Sequence, residues 1–204
     1  KAPSEYTSDS NKVVENGTLS LTGYTAASTA VHASSYLSLL NQEIDLSDVY
    51  SNSYVITQPN TRYNIDVTHK GESDERIYPD HVDILWQSET NLINFYSFDK
   101  QSNTFTFYVG HSDDDDKQSA AIIPDGNAVV AAYDESGKII WSWHLWLTGS
   151  DPTTNAITTS AGVFMDRNLG AYHNSDGSVK HEDIYRSYGL YYQCGRKDPF
   201  VRPV

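Results

Sequence analysis

Short alternating segments separated by turn residues restrict the fold of this chain more than any other feature of its sequence. They run from residue 53 to residue 147, and residues 63–67 and 104–109 show the alternation of apolar and polar side chains most clearly. Short strands at fairly regular intervals are typical of a β-sandwich or a β-barrel. We therefore predict a mainly β chain with an antiparallel β-sandwich domain over residues 51–150.

Two hairpins are predicted within this domain. Residues 54–57 and 63–67 flank a Pro-Asn pair, so we expect these two segments to pair with each other. Residues 128–133 and 138–147 flank the turn sequence DESG. Gly137 in that turn is expected to adopt a positive φ, which is costly for residues that carry a Cβ atom.

The segments before and after this domain lack its regular succession of short strands. Residues 1–50 are predicted to form an N-terminal segment with a strand at 18–23, and the Ala/Ser-rich part at 26–40 fits either a short helix or a linker. Thr, Asn, Asp and Pro residues mark a domain boundary near Asp151. Residues 151–204 are close to the minimum length of a domain that folds alone, so we expect them to pack on the sandwich.

The charge of the chain narrows the range of its partners. Lys and Arg number 14 against 27 Asp and Glu, which gives a net charge of −13. Because such a surface repels a polyanion, we predict no nucleic-acid partner. No run of about 18 apolar residues is present, so we also predict no membrane-spanning segment. The single cysteine, Cys194, cannot form an intrachain disulfide, and we interpret it as a buried structural thiol.

The most distinctive stretch is the aromatic sequence WSWHLW at residues 141–146. Side chains alternate along a strand, so Trp141 and Trp143 are predicted to fill the core while His144 and Trp146 face the other way. One interpretation of His144 and Trp146 is a ligand-binding site for carbohydrate stacking or for a metal. The other, which we favour, is that both side chains pack beneath the C-terminal segment with His144 hydrogen-bonded, because a lone histidine specifies no chemistry.

Two charged stretches are candidate metal sites. The run Asp113–Asp116 offers four adjacent carboxylates, which suit Ca²⁺, but it lacks the alternating ligands and the glycine of a calcium loop. An unbroken acidic run is usually a solvated loop, and that is the interpretation we favour. The sequence HED at 181–183 is typical of a helix start or an exposed loop. We therefore predict no metal and no other cofactor.

Three blocks of sequence carry a resemblance to a known family. They are GNAVVAA at 126–132 continuing to WSWHLW at 141–146, then FMDRNLGA at 164–171, and YGLYYQCGRKDPF at 188–200. Together they resemble the fimbrial tip and fimbrillin-like surface proteins of Bacteroidales. The resemblance implies an adhesin or pilus component of the cell surface or outer membrane, usually lipid-anchored or assembled into fimbriae. It also implies that residues 151–204 begin an α+β domain similar to C-type lectins, and we expect the sandwich before it to be immunoglobulin-like or transthyretin-like.

The second of these blocks places charged and amide side chains directly after an apolar strand. Asp166, Arg167 and Asn168 are interpreted as a structural latch, because a guanidinium binds carboxylate or backbone acceptors through two hydrogen bonds. Asp198 is the predicted partner of Arg167 in this latch. Cys194 stands where the family commonly has Trp, and the resemblance transfers no ligand-binding residue to this chain.

These observations favour a non-enzymatic surface protein that serves adhesion or is associated with fimbriae. Its expected partners are other fimbrial subunits, whose strands would add to an exposed sheet edge, or host and bacterial surface glycans. The resemblance implies that the protein is exported. The polar start KAPS is not a signal peptide, so the export signal is expected to lie outside this chain. The alternative is a carbohydrate-processing enzyme or its accessory carbohydrate-binding module, and glycoside hydrolysis requires two carboxyls about 5–10 Å apart. A purely structural spacer is the third hypothesis.

Overall fold

The computed structural model describes residues 12–15, 18–21, 42–90, 92–93, 95–110, 122–174 and 180–200. The chain divides into two compact units, residues 1–40 and residues 41–204. In the first unit, β1 (Lys12–Glu15) and β2 (Thr18–Leu21) pair antiparallel. The strand predicted at 18–23 is therefore confirmed over its first residues, while the segment 26–40 lies outside the described residues.

The second unit contains the remaining strands and a helix. The strands are β3 (Glu43–Asp45), β4 (Ser53–Ile56), β5 (Thr61–Asp66), β6 (His81–Gln87), β7 (Phe95–Asp99), β8 (Thr104–Val109), β9 (Gly126–Tyr133), β10 (Ile139–Leu147), β11 (Ile157–Thr159) and β12 (Gly162–Phe164). The helix α1 (His181–Ser187) begins at the HED sequence, so the helix-start interpretation of that sequence is confirmed.

Eight of these strands form two four-stranded sheets. The first sheet has the order β4-β10-β9-β6, and the second has the order β3-β5-β8-β7. The prediction of a mainly β chain is confirmed, but the sheets are mixed rather than antiparallel, because β4 runs parallel to β10 and β3 runs parallel to β5. A parallel pair cannot be closed by a tight hairpin, so in each of these pairs the chain leaves the sheet and returns to it.

One of the two predicted hairpins is present. β9 and β10 pair antiparallel across the DESG turn, and Gly137 in that turn has a φ of 78°. The hairpin predicted for residues 54–57 and 63–67 is wrong, because these segments lie in different sheets as β4 and β5. The connection between them contains Asn60 with a φ of 52° and carries the chain from one sheet to the other. A short polar connection is compatible both with a hairpin inside one sheet and with a crossing between two sheets. Its local sequence pattern therefore does not distinguish the two arrangements.

One hydrophobic core lies between the two sheets. Its members share an inward-facing position on their strands, and they include Tyr54 and Ile56 of β4, Tyr63 and Ile65 of β5, Val82 of β6, Phe105, Phe107 and Val109 of β8, Ala128, Val130 and Ala132 of β9, and Trp143, Leu145 and Leu147 of β10. Full burial of a large apolar side chain stabilises a fold by about 1.5–3 kcal/mol. Because both sheets contribute to one cluster, their apolar faces pack against each other and their other faces point outward.

The described residues between 151 and 200 belong to neither large sheet. They contain the two-stranded sheet of β11 and β12, the helix α1 and connecting loops. The apolar strand predicted at 162–165 is present as β12, yet its Val163 is 70% exposed. Ala171 is fully buried and accepts a hydrogen bond from Trp146 of β10. This part of the chain therefore has a side that packs on the first sheet and a side that faces solvent.

Candidate functional site

The outward-facing side chains at the end of β10 are buried as completely as its core-facing ones. They are Ser142, His144, Trp146 and Thr148, here called the polar ladder, and none is more than 3% exposed. Trp143 and Leu145, which alternate with them, lie in the core. The predicted alternation is confirmed from Ser142 onward, but Trp141, which was predicted to fill the core together with Trp143, is only partly buried and packs against the core.

His144 lies in the middle of the polar ladder. Its Nδ1 is 2.9 Å from Oγ of Ser53, and its Nε2 is 2.9 Å from Oδ1 of Asn127. The Asn127 amide nitrogen donates to the Gly170 carbonyl at 3.0 Å, which leaves its oxygen for the imidazole. A neutral ring protonated on Nε2 satisfies both contacts, with the Ser53 hydroxyl donating to Nδ1. Burial lowers the pKa of His144 to about 4, so the ring is neutral at pH 7.

Two backbone carbonyls in the C-terminal part accept hydrogen bonds from the polar ladder. The indole Nε1–H of Trp146 donates to Ala171 at 2.9 Å, and the hydroxyl of Thr148 donates to Tyr172 at 3.3 Å. Trp146 thus meets the C-terminal segment, as the packing interpretation predicts. Because His144 and Trp146 are enclosed by these contacts, neither presents a surface to a ligand.

Arg167 continues the polar ladder at its Thr148 end. Its guanidinium binds both carboxylate oxygens of Asp166, at 2.7 and 3.0 Å, and donates to Oγ1 of Thr148 at 3.1 Å and to Oγ of Ser150 at 2.7 Å. The hydrogen bonds from Arg167 hold the pKa of the Asp166 carboxyl below its usual range. Arg167 therefore ties the loop that follows β12 to the end of β10.

Asp198 belongs to the opposite end of the polar ladder. Its Oδ1 accepts hydrogen bonds from Oγ of Ser142 and Nζ of Lys197, each at 2.7 Å. The predicted contact between Arg167 and Asp198 is therefore wrong. Ser142 and Thr148 are six residues apart, which corresponds to about 20 Å along a strand, so Arg167 and Asp198 hold opposite ends of the ladder.

The solvent-facing side of the C-terminal part contains a groove made of two adjoining cavities. The cavities have volumes of about 660 and 390 Å³ and share Asn168, Leu169 and Tyr188 in their linings. We call this surface the tyrosine groove, and its further lining residues include Phe164 and Met165 in the larger cavity and Tyr191 and Tyr192 in the smaller one. Asn168 was predicted as a latch residue, but its side chain is exposed and makes no hydrogen bond to another described residue.

The floor of the tyrosine groove is a close crossing of two chain segments. The backbone N–H of Leu190 donates to the carbonyl of Leu169 at 2.9 Å. A Cβ atom placed on Gly189 would lie 2.4 Å from the same carbonyl oxygen, so only glycine permits this approach. Tyr188 and Tyr191, which lie on either side of Gly189 and Leu190 in the sequence, therefore project from a backbone whose position is fixed by a direct contact.

Three edge strands of the two large sheets carry features that discourage another strand from pairing with them. β3 has only three residues, and its Glu43 forms an ion pair with Arg62 of β5. In β4, the Ser51 hydroxyl hydrogen-bonds both the N–H and the carbonyl of Ser53. β6 has a register shift in its pairing with β9. Short length, charge, local capping and bulges are the usual means by which proteins protect sheet edges.

In the part of the chain that the structure describes, β7 has the fewest of these features: its one charged residue, Asp99, is its last residue and is bound to Gln101 and Ser102 in the following turn. β7 pairs with β8 alone, in regular antiparallel register, and contains neither proline nor lysine. Phe95 is 67% exposed, and Tyr96 donates from its hydroxyl to Asp83 of β6 at 2.5 Å. Among the described residues, no strand pairs with the far side of β7, which makes it an edge to which another strand could add. This strand is absent from the sequence-based predictions, although the aromatic sequence FYSF before the turn at 100–103 is a strand signal.

The other candidate residues do not assemble into a site. Cys194 is exposed, so its interpretation as a buried thiol is wrong. It lies in a turn closed by a hydrogen bond from the Arg196 N–H to the Gln193 carbonyl, and such turns lie at the surface. The run Asp113–Asp116 lies outside the described residues. Among the residues that are described, no three His, Cys, Asp or Glu side chains are grouped as metal ligands would be.

Two further findings concern membranes and relatives. Within the described ranges, no helix is long and apolar enough to cross a membrane.

No protein-family model, curated protein or solved structure matches this chain. The resemblance to fimbrial surface proteins therefore stays a prediction.

Proposed function

We propose that this chain is a non-enzymatic surface protein of adhesion or of a fimbria, and that β7 is the edge to which a strand of another subunit adds. The single observation that carries this proposal is that β7, among the described residues, is the least protected of the four sheet edges. A segment that pairs with β7 would gain main-chain hydrogen bonds along its whole length, as in other cases of strand addition. The resemblance to fimbrillin-like proteins supports the same proposal.

Side chains on β7 add to what its backbone offers. Phe95 and Tyr96 expose aromatic surface next to the open edge, and Phe95 lies 6.3 Å, centre to centre, from the ring of Tyr108 on β8. An incoming strand would cover this aromatic surface while it pairs with the backbone. Aromatic residues are enriched at protein interfaces for this reason.

The alternative of a glycoside-processing enzyme gains no support from the tyrosine groove. Among the described residues, the aromatic-lined cavities include one carboxyl, that of Asp166. Its lowered pKa and its bidentate contact with Arg167 suit a fixed anion rather than a proton donor. A glycosidase needs a second carboxyl within about 10 Å, with the pKa of the acid raised.

The surface location is tested by labelling intact cells of the source organism with a membrane-impermeant reagent that reacts with lysine. We expect the protein to be labelled before lysis to the same extent as a known surface protein. Labelling that requires lysis would overturn the proposed location.

The role of β7 is tested by photo-crosslinking in the same cells. Benzoylphenylalanine in place of Phe95 is expected to crosslink to a surface subunit, whereas the same group in place of Tyr78, which is 68% exposed and does not belong to β7, is not. Adding Ser97→Lys puts a charge in the middle of β7 and should abolish the crosslink, while Ser97→Thr should preserve it. Equal crosslinking from both positions, or a crosslink that survives Ser97→Lys in the folded protein, would refute strand addition.

A further inference from the structure

We propose that the tyrosine groove binds a neutral oligosaccharide, with Tyr188 and Tyr191 as stacking surfaces and the Asn168 amide as the central polar contact. Asn168 and Tyr188 line both cavities, and Tyr191 lines the smaller one. The inference deepens the proposed adhesive function by giving it a ligand, and it rests on that function for its biological role. The argument for oligosaccharide binding uses only residues of the groove, so it does not require strand addition at β7.

The charges at the groove determine which ligands suit it. Asp166 and Arg167 lie in the lining of the larger cavity, but their side chains are each only 5% exposed and they neutralise one another. Among the described residues that line it, the groove therefore offers no free charge with which to bind an ion. Anionic ligands are also repelled by the net charge of −13. A neutral ligand is the class that this arrangement favours.

The exposed groups of the groove match the two sides of a sugar ring. A pyranose has a face of C–H groups and a rim of hydroxyls that both donate and accept hydrogen bonds. Tyr191, which is 59% exposed, presents a flat apolar ring with a polar tip. The Asn168 amide provides a donor and an acceptor next to each other, so it is able to bind a hydroxyl in both of its roles. Because Asn168 lies where the two cavities join, a ligand of more than one ring would extend from it in both directions.

The groove is also formed in advance of binding. Gly189 allows the direct contact of its two floor segments, and Arg167 fixes the loop that carries Asn168 to the end of β10. A ligand site whose residues are already positioned binds without the entropy loss of ordering them. Each of its two cavities, of about 660 and 390 Å³, lies within the range of about 300–1,000 Å³ that is typical of ligand cavities.

Two other occupants fit the groove less well. An extended peptide gains affinity by pairing with backbone groups, but the carbonyl of Leu169 and the N–H of Leu190 in the floor already bind each other. A second copy of the chain would bring another net charge of −13 to the interface. A neutral oligosaccharide meets neither obstacle.

The test begins with the chain of residues 1–204 on an array that contains neutral, sialylated and sulfated oligosaccharides. Affinity for the best neutral oligosaccharide is then measured by calorimetry for the wild type, Asn168→Ala, Tyr191→Ala and Tyr191→Phe. We expect Asn168→Ala and Tyr191→Ala each to weaken binding by about tenfold, and Tyr191→Phe to retain it. Tyr78→Ala, at an exposed tyrosine in a different cavity, is the matched control and should leave affinity unchanged.

Binding only to charged oligosaccharides, or no binding to a neutral one at millimolar concentration, would overturn the inference. So would an affinity that survives both Asn168→Ala and Tyr191→Ala while thermal unfolding shows both variants to be folded. Ser97→Lys separates this inference from the proposed function, because it blocks strand addition at β7 and should leave oligosaccharide binding intact. If Ser97→Lys loses the crosslink at β7 but still binds the oligosaccharide, both proposals are supported. If Ser97→Lys also loses oligosaccharide binding, the groove does not act independently of β7.

Discussion

The two faces of β10 are equally buried, but different interactions bury them. Trp143, Leu145 and Leu147 face the other sheet and lie in an apolar core. The alternating positions form the polar ladder, and each of its side chains makes a hydrogen bond with a polar partner. One face is therefore stabilised mainly by the removal of apolar area from water and the other by matched donors and acceptors.

Because of this difference, the two faces of β10 tolerate different amino-acid substitutions. A core accepts other apolar side chains of similar volume, because the hydrophobic effect has no preferred direction. A buried polar group requires a partner in one place, and leaving it unpaired costs about 1–3 kcal/mol. The polar ladder thus fixes where Gly170, Ala171 and Tyr172 sit on the sheet, whereas the core fixes only that the two sheets stack.

Replacing Trp143 by alanine should give the largest loss of stability. The indole is fully buried in the core, and large-to-small changes at aromatic core positions cost about 3–5 kcal/mol. Urea denaturation followed by circular dichroism measures the free energy of unfolding. Ile139→Ala, on the same strand at a 43% exposed position, is the control and should cost far less. Similar losses in both variants would contradict the core position of Trp143.

His144→Leu should cost about 1–3 kcal/mol at pH 7, because it leaves the Ser53 hydroxyl and the Asn127 amide oxygen without their partner. The same variant should alter the pH dependence of stability. The unfolded chain takes up a proton on His144 near the ordinary histidine pKa of 6.5, whereas the folded chain, whose pKa is lowered by burial, does so only near 4. The contribution of the neutral ring is therefore present above pH 6.5 and is lost as the pH falls toward 4.

Denaturation of both proteins at pH 7 and pH 5 separates this contribution from that of other groups. The wild type should lose about 2 kcal/mol through His144 between these pH values, and His144→Leu should lack that share of the loss. Parallel pH profiles for the two proteins would show that His144 does not titrate as its burial implies.

The core-facing half of the molecule is the half that the sequence predicts well. Alternation with a period of two places the apolar residues of β5, β8 and β10 on one face, and the DESG turn specifies the β9–β10 hairpin. These are local rules, so they need no knowledge of distant segments. The sheet to which a strand belongs is not local, which is why the expected β4–β5 hairpin is wrong.

The outer half depends on contacts between residues far apart in the sequence. A guanidinium has several possible acceptors, and the sequence alone does not show that Arg167 meets Thr148 while Asp198 meets Ser142. The groove at Asn168 and Tyr188 is likewise created by the crossing of two segments. Its strongest signal in the sequence is the tyrosine-rich stretch YGLYY, whose exposure is visible only in the fold.

Thr148→Val should produce the smallest effect, because it keeps the shape of the side chain and removes one hydroxyl from the end of the polar ladder. That hydroxyl donates to the Tyr172 carbonyl at 3.3 Å and accepts from Arg167 at 3.1 Å, so we expect a loss of about 1 kcal/mol. The effect should be local: hydrogen exchange should quicken at the amide of Tyr172 and not at those of β9. Thr158→Val, at an exposed position of β11, is the matched control and should change neither quantity. Faster exchange throughout β9 would show that the polar ladder and the core form one cooperative unit, and the distinction between the two faces of β10 would then fail.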